Sequence, residues 1–295
     1  MKSASQTQDD VRAFWDSKPC GSELSVLAPN TREYYLEIEH KRYQFENHIL
    51  SLLDKIDWTK KRTLEIGTGV GTDGRQIIKR GAEYIGINVD LGSAQSTSRA
   101  FNIFGLSGYV TQCSATHLVF PNSTFDVVYS FGVLHHIPDV QSAVAEIHRV
   151  VKPNGELLIM LYNRTSINYY IEIMLLRKLF RRLLLMPGAM GVFAMLGFPR
   201  DKLVRHRELL TESKSMSPTE WLSRNTDGPD NPYTAVYNRK EAEQLFTGFQ
   251  ILSNEVFFFD YRHWGMLGRL IPHKIVAFIG RRWGWHRVIH ARKLG

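Results

Sequence analysis

Thr63-Leu64-Glu65-Ile66-Gly67-Thr68-Gly69-Val70-Gly71 is the stretch that decides the fold. A short strand runs straight into three glycines at alternate positions, and Thr72 and Asp73 then open a helix that turns Ile77 and Ile78 inward and stops at Gly81. Such a turn lets backbone N–H groups approach a ligand, and the helix N-terminus favours negative groups there. The spacing departs from the dinucleotide loop Gly-x-Gly-x-x-Gly. Gly67 and Gly69 fit it, but Thr72 stands at the third position and the extra glycine is Gly71. With Glu65 the pattern becomes Glu-x-Gly-x-Gly-x-Gly, and a dehydrogenase is disfavoured.

Outward from this turn, strands and helices alternate. Glu83 to Val89 reads as a second strand with its helix at Ser93 to Phe104, and Tyr109 to Gln112 as a third strand. Phe125 to Ser130 is a fourth, of the continuous apolar type found in buried parallel sheets. Asp139 caps a helix in which Val140, Ala143, Val144, Ile147 and Val151 recur at helical spacing. Lys152-Pro153-Asn154-Gly155 then turns into the strand Glu156 to Leu161. The alternation predicts an α/β fold with a doubly wound, Rossmann-like sheet. After Tyr162 the pattern lapses until Asn238-Arg239-Lys240-Glu241, a capping box. The strands Phe249 to Phe259 and His286 to Arg292 complete seven, the last a candidate antiparallel partner. The expected division is an N-terminal lid (1–60), a cofactor-binding core (61–162), a helical capping insertion (163–236), and the rest of the sheet with a basic tail (237–295).

Composition sets the outer bounds. The 295 residues are 43% hydrophobic and 22% charged, enough apolar content for a sizeable core and too much for overall disorder. Cys20 and Cys113 are the two cysteines, which excludes a disulfide scaffold and suits a reducing, cytoplasmic setting; no metal-ligand spacing accompanies them. Met1 to Asp10 is polar and lacks the apolar core of a secretory leader. The net charge of +8 is uneven. Tyr261 to Gly295 holds eight Lys or Arg and no acid, and Arg164 to Arg207 holds nine basic and two acidic residues, so the remainder is net negative. Nucleic acid is thereby a less fitting partner than the total charge implies, and a local anionic membrane contact a better one.

Three motifs in order resemble the class I S-adenosylmethionine-dependent methyltransferases of the small-molecule type. They are Leu64 to Gly71, Phe125-Asp126-Val127-Val128-Tyr129-Ser130 with Val133-Leu134-His135-His136, and Arg149-Val150-Val151-Lys152-Pro153-Asn154-Gly155-Glu156-Leu157. The resemblance implies S-adenosyl-L-methionine as cofactor. The loop Gly67, Thr68, Gly69, Gly71 would face its methionine portion and ribose, with Glu65 orienting the loop or the amino group. Asn88, followed by Val89, falls where the family usually places an acid on the ribose hydroxyls, and Ser114 with Ala115 where it meets adenine; Ser130 ends the fourth strand beside the loop. Both substitutions replace charge-assisted hydrogen bonds, worth about 1.5–3 kcal/mol, by neutral ones of about 0.5–1.5 kcal/mol.

The same resemblance implies catalysis at His136, with His135 as second candidate, since imidazole titrates near neutrality and follows the fourth strand where doubly wound sheets bind ligands. Tyr34 and Tyr35 lie in the lid that folds over the cofactor, along with Phe14-Trp15 and Lys18-Pro19-Cys20-Gly21. Tyr162, Asp227 and Tyr233 are the further candidates for contacting an acceptor. The implied reaction is methyl transfer to oxygen or carbon of a small, apolar or amphipathic molecule. The alternatives are a modified sulfonium cofactor, a non-methylating reaction, and a ligand-binding protein without catalysis.

Two segments hold the excess charge. Ile167 to Leu185 clusters Arg177, Lys178, Arg181 and Arg182 among aliphatics, and Leu183 to Pro199 is uncharged but broken by Pro187, Gly188, Gly191 and Gly197. These breakers exclude a spanning helix and leave a pocket lid or an interfacial element. The tail interleaves His263-Trp264 and Arg281-Arg282-Trp283-Gly284-Trp285-His286 with basic residues, a composition that suits lipid headgroups.

Overall fold

A computed structural model describes residues 4–195, 197–198, 200–212, 216–261 and 270–295. Seven strands form a single mixed sheet: β1 (Arg62–Ile66), β2 (Glu83–Asn88), β3 (Gly108–Gln112), β4 (Phe125–Phe131), β5 (Val151–Tyr162), β6 (Phe249–Phe257) and β7 (His286–Lys293). Their order is β3-β2-β1-β4-β5-β7-β6. All neighbours from β3 to β5 are parallel, while β7 runs antiparallel to both β5 and β6. The order reverses at β1/β4, and the carboxyl ends of those two strands therefore border the ligand crevice of such a sheet.

The central strands β1, β4 and β5 are buried on both faces, which explains their continuous apolar runs. Along β5, Leu157, Ile159 and Leu161 pack on one face with Leu64, Val128, Ile147 and Phe246. Leu158, Met160 and Tyr162 pack on the other with Trp58, Ile77, Tyr129 and Phe101. The two-residue period of a strand thus divides one sequence between two cores. Lys152 to Gly155 is taken into β5 as an irregularity. The β4–β5 register jumps there, pairing Phe125 with Val151 but Val127 with Glu156, and Asn154 takes φ 63°.

Helices α4 (Thr72–Lys79), α5 (Leu91–Phe104) and α6 (Val140–Val150) cross between the parallel strands. Asp90 and Asp139 accept from the N–H groups of Ser93 and Ser142, capping α5 and α6. Ahead of the sheet come α1 (Ala4–Ser17), α2 (Arg32–Phe45) and α3 (His48–Leu53). Between β5 and β6 stand a π-helical stretch (Asn168–Leu176), α7 (Arg177–Leu184), α8 (Ala189–Met195), α9 (Arg200–Glu212), α10 (Pro218–Ser223) and α11 (Arg239–Leu245); α12 (His273–Trp283) precedes β7. Asn238 and Glu241 form a complete capping box at α11. Among the described residues, no helix is long and apolar enough to cross a membrane. His263 and Trp264, named above in the tail, and Leu196 and Pro199 of the uncharged run lie outside the described residues.

Candidate active site

The turn after β1 is held in a shape that side chains would obstruct. Gly67 has φ 79°, and a Cβ there would lie 2.2 Å from a methyl of Val133; Gly69 has φ 54°, and a Cβ there would lie 2.9 Å from the Cys20 carbonyl oxygen. Above this turn opens a pocket with about 980 Å³ of empty space, its open mouth included. Its floor is Glu65 to Val70 with Thr72 and Asp73. One wall is Ile87 to Asp90 with Cys113 and Ala115, and another is Phe131 to Val133 with His136. Gln8, Val11 and Trp15 of α1, Cys20, and Ile38 and Arg42 of α2 close it from the N-terminal side.

Beneath the floor lies a buried polar network that joins α2, α4 and β4. Arg42 donates to both carboxylate oxygens of Asp73, at 3.1 and 2.7 Å, and Tyr43 and Tyr129 donate to the same carboxylate at 2.9 and 2.8 Å. Burial opposes the charge on Asp73, but the Arg42 guanidinium and these hydroxyls outweigh it and hold the carboxyl below its usual range. Among the described residues, none forms an ion pair with Glu65. Burial first, and the nearby Asp73 charge second, push its carboxyl up to about 8 even though the Tyr84 hydroxyl donates to it. An incoming ammonium would therefore meet an acid that ionises to receive it.

Of the residues expected to hold the cofactor, Glu65, Gly67, Thr68, Gly69, Asn88, Val89 and Ala115 line the pocket. Gly71, Ser114 and Ser130 do not. Gly71 packs against Thr97. The Ser114 hydroxyl is turned to the Thr116 hydroxyl at 2.8 Å, and its neighbours Cys113 and Ala115 face the pocket instead. Ser130 is fully buried and donates to the Ile66 carbonyl at 3.1 Å, tying β4 to β1. The Asn88 amide is engaged on both sides. Its Oδ1 accepts from the Thr68 N–H at 2.8 Å and its Nδ2 donates to the Thr68 hydroxyl at 2.6 Å. The carboxylate that reaches this wall is Asp90, the α5 cap.

The two histidines part company. His135 is fully buried, lies outside the pocket, and stacks on Tyr162 with ring centroids 3.7 Å apart; neither ring nitrogen has a hydrogen-bond partner. Burial, with His136 and His286 adding to it, disfavours the charged form of its ring. His136 lines the pocket. Its Nδ1 is 2.9 Å from the Tyr233 carbonyl oxygen, an acceptor that fixes the proton on Nδ1. Nε2 then faces Asp227 Oδ2 at 3.4 Å with no hydrogen bond formed by either atom. The Tyr162 hydroxyl donates to the other carboxylate oxygen at 2.8 Å. Trp15 sets its ring edgewise to His136, centroids 5.4 Å apart, and the α5 amide of Gly92 donates to Asp16 at 2.9 Å, so α1 is fastened over the site at both points.

Tyr34 and Tyr35 do not reach the pocket. Both are buried between α2 and α5, and the Tyr35 hydroxyl donates to the Ser96 carbonyl at 2.8 Å. They share the α2 face of Ile38 and Arg42 but lie about a turn nearer the helix start, where that face packs on α5 rather than on the pocket. Trp15 belongs to the lid that the resemblance implies, whereas Arg42 and Asp73 carry no local sequence signal of this role. They meet only because the fold brings three distant helices to one place.

Comparison with known proteins agrees with this geometry. A model of the methyltransferase domain matches residues 64–159. A sterol 4-C-methyltransferase of Caenorhabditis elegans is 30% identical over 109 residues, 36% of this chain and 32% of its own length. A ubiquinone biosynthesis O-methyltransferase of Aliivibrio fischeri is 27% identical over 182 residues, 60% of this chain and 71% of its own. The match thus spans about a third of the sterol enzyme and more than two thirds of the ubiquinone enzyme. Among solved structures, geranyl diphosphate C-methyltransferase from Streptomyces coelicolor, determined with S-adenosyl-L-homocysteine, superposes with a TM-score of 0.56 at 13% identity over 98% of both chains. Residues 64–159 are thus similar to a methyltransferase domain, and the chain shares the fold of the Streptomyces coelicolor enzyme.

Proposed function

We propose that the protein transfers a methyl group from S-adenosyl-L-methionine to an oxygen or carbon of a small, apolar or amphipathic acceptor, with His136 as general base. The observation that carries the proposal is His136 at the pocket wall, with Nδ1 fixed on the Tyr233 carbonyl and Nε2 directed at Asp227. A sulfonium bound in the pocket supplies an already activated methyl, so the protein has to align the acceptor at about 3–3.5 Å and exclude water. Trp15 and α1 close the site from solvent. When Nε2 takes the acceptor proton, Asp227 stands beside the imidazolium so formed, and Tyr162 holds that carboxylate in place.

The chain's own groups fit such a cofactor. The Gly67–Gly69 turn leaves room for a close approach, Asp90 and Asn88 border the wall for the ribose, and Cys113 and Ala115 offer an apolar surface to adenine. Among the described residues lining the pocket, Arg42 is the guanidinium and Glu65 the acid able to meet a carboxylate and an ammonium. The helical segments at 163–236 act as a cap, because the Asp227 and Tyr233 loop reaches back over the sheet from there. Names among the relatives, a sterol and a ubiquinone-biosynthesis enzyme, support an apolar or amphipathic acceptor. The test is release of S-adenosyl-L-homocysteine with candidate phenolic and isoprenoid acceptors. Turnover by the wild type that His136→Ala abolishes supports the assignment; equal turnover by that variant removes His136 from the mechanism.

A further inference from the structure

One stretch of the chain is folded inside out. Along the π-helical turn and α7, Ile171, Leu175, Leu179, Leu183 and Met186 are all exposed, Leu175 and Met186 by 58% each. The spacing of three to four residues sets them on one side of the helix. Three charged residues of the same helix, Glu172, Arg177 and Arg181, turn toward the protein instead. Glu172 is buried and paired with Arg177 at 2.6 Å, and Arg181 is buried with its guanidinium 4.6 Å above the Trp221 ring. A helix that hides its ion pair and shows its leucines to the outside is the reverse of a solvent-facing helix.

We propose that this face docks on an anionic lipid surface. The charges that accompany it decide the occupant. Lys178 and Arg182 are exposed among the leucines, and Glu172, the single acid between Asn168 and Phe198, is buried. Basic residues framing an aliphatic stripe match the headgroup and acyl boundary of such a bilayer. A second copy of the chain would bring the same basic residues to both sides of a symmetric contact.

The face also connects to the candidate site. Arg177 donates to the Asn225 carbonyl at 2.7 Å, and the Trp221 indole donates to the Ile173 carbonyl at 3.1 Å. Asn225 lies two residues before Asp227, which stands beside His136. The helix that meets the bilayer thus anchors the loop bordering the acceptor side, which suits an acceptor drawn from the membrane. That last clause rests on the methyl-transfer reading; the docking itself does not.

The experiment is flotation of the full chain with vesicles of phosphatidylcholine alone and of equal parts phosphatidylcholine and phosphatidylglycerol, at low and high salt. The wild type is expected to float with the mixed vesicles and to be released by salt. Leu175→Ser/Leu179→Ser/Leu183→Ser and, separately, Lys178→Glu/Arg182→Glu are expected to lose at least about tenfold in binding. These side chains are exposed, and an unchanged circular-dichroism melt confirms that each variant folds; the charge variant keeps the test alive if the serine variant does not. Absence of flotation by the wild type overturns the proposal. So does equal flotation by both variants, or light scattering that shows a wild-type dimer made monomeric by the serine substitutions. Calorimetry with S-adenosyl-L-homocysteine on the same samples reports the cofactor site separately.

Discussion

The sheet between β1 and β5 and the helical segments between β5 and β6 solve the problem of charge in opposite ways. Under the glycine turn, Asp73 is buried and receives four donors, so its charge is fixed and its position rigid. In the helical segments Glu172 and Arg177 pair inward, while leucines that a soluble core would absorb are left outside. The first region is built to hold one small polar molecule in one pose. The second is the face proposed above to dock on an anionic lipid surface. On that proposal the difference separates two tasks, binding the methyl donor and reaching the acceptor, that a composition of +8 presents as one property.

The comparison can be broken most strongly at the turn. Gly67→Ala forces a Cβ into Val133 at a positive φ, and the backbone strain alone costs about 1–3 kcal/mol. Loss of S-adenosyl-L-homocysteine affinity by at least about a hundredfold is expected from strain and clash together, by calorimetry. Vesicle flotation should persist unchanged, because the two regions act separately.

Next in size is the proton path. His136→Ala should abolish turnover, a loss of about 10²–10⁴-fold, with cofactor affinity preserved. Tyr162→Phe should reduce turnover less, by leaving Asp227 free to rotate; a pH–rate profile shifted along the axis distinguishes this from a packing defect.

Glu65 sharpens the comparison through pH. Its carboxyl is raised from 4.5 to about 8 in the folded protein. Between those values the folded state keeps a proton that the unfolded chain has lost, so Glu65 makes stability fall as pH rises across that window and adds no further slope above it. Glu65→Gln should flatten this slope in thermal melts at a series of pH values. It should also weaken S-adenosyl-L-homocysteine binding and remove the rise in affinity toward pH 8 that ionisation of Glu65 produces. The smallest effects are expected at Ser114 and Ser130, whose hydroxyls bond within the protein. Ser114→Ala should change cofactor affinity less than about twofold, and Ser130→Ala should cost about 0.5–1.5 kcal/mol of stability in a denaturant melt.

The sequence made the sheet legible because each of its signals is local. Apolar runs mark the strands, Gly67 to Gly71 marks the turn, and Asp139 and the Asn238–Glu241 pair mark helix starts that the structure places at α6 and α11. The pocket wall was legible only where it follows a strand end. Asn88 and Ala115 line it, whereas Ser130 points to the Ile66 carbonyl because strand alternation sends Phe131 the other way. The parts contributed by helices were hidden. Nothing near Arg42 or Asp73 in the sequence announces a shared site with Trp15 of the lid, and His135 and His136 are adjacent residues that differ only in which way the 3₁₀ turn at Leu134–His136 rotates them. Their separation comes from tertiary packing, with Tyr162 covering one ring and Tyr233 holding the other.

Isothermal calorimetry of the wild type with S-adenosyl-L-homocysteine, repeated with Gly67→Ala, tests the central claim most directly. One site per chain is expected in the wild type, lost in the variant while the circular-dichroism spectrum stays the same. No heat of binding in the folded wild type, or equal binding by both proteins, would contradict it.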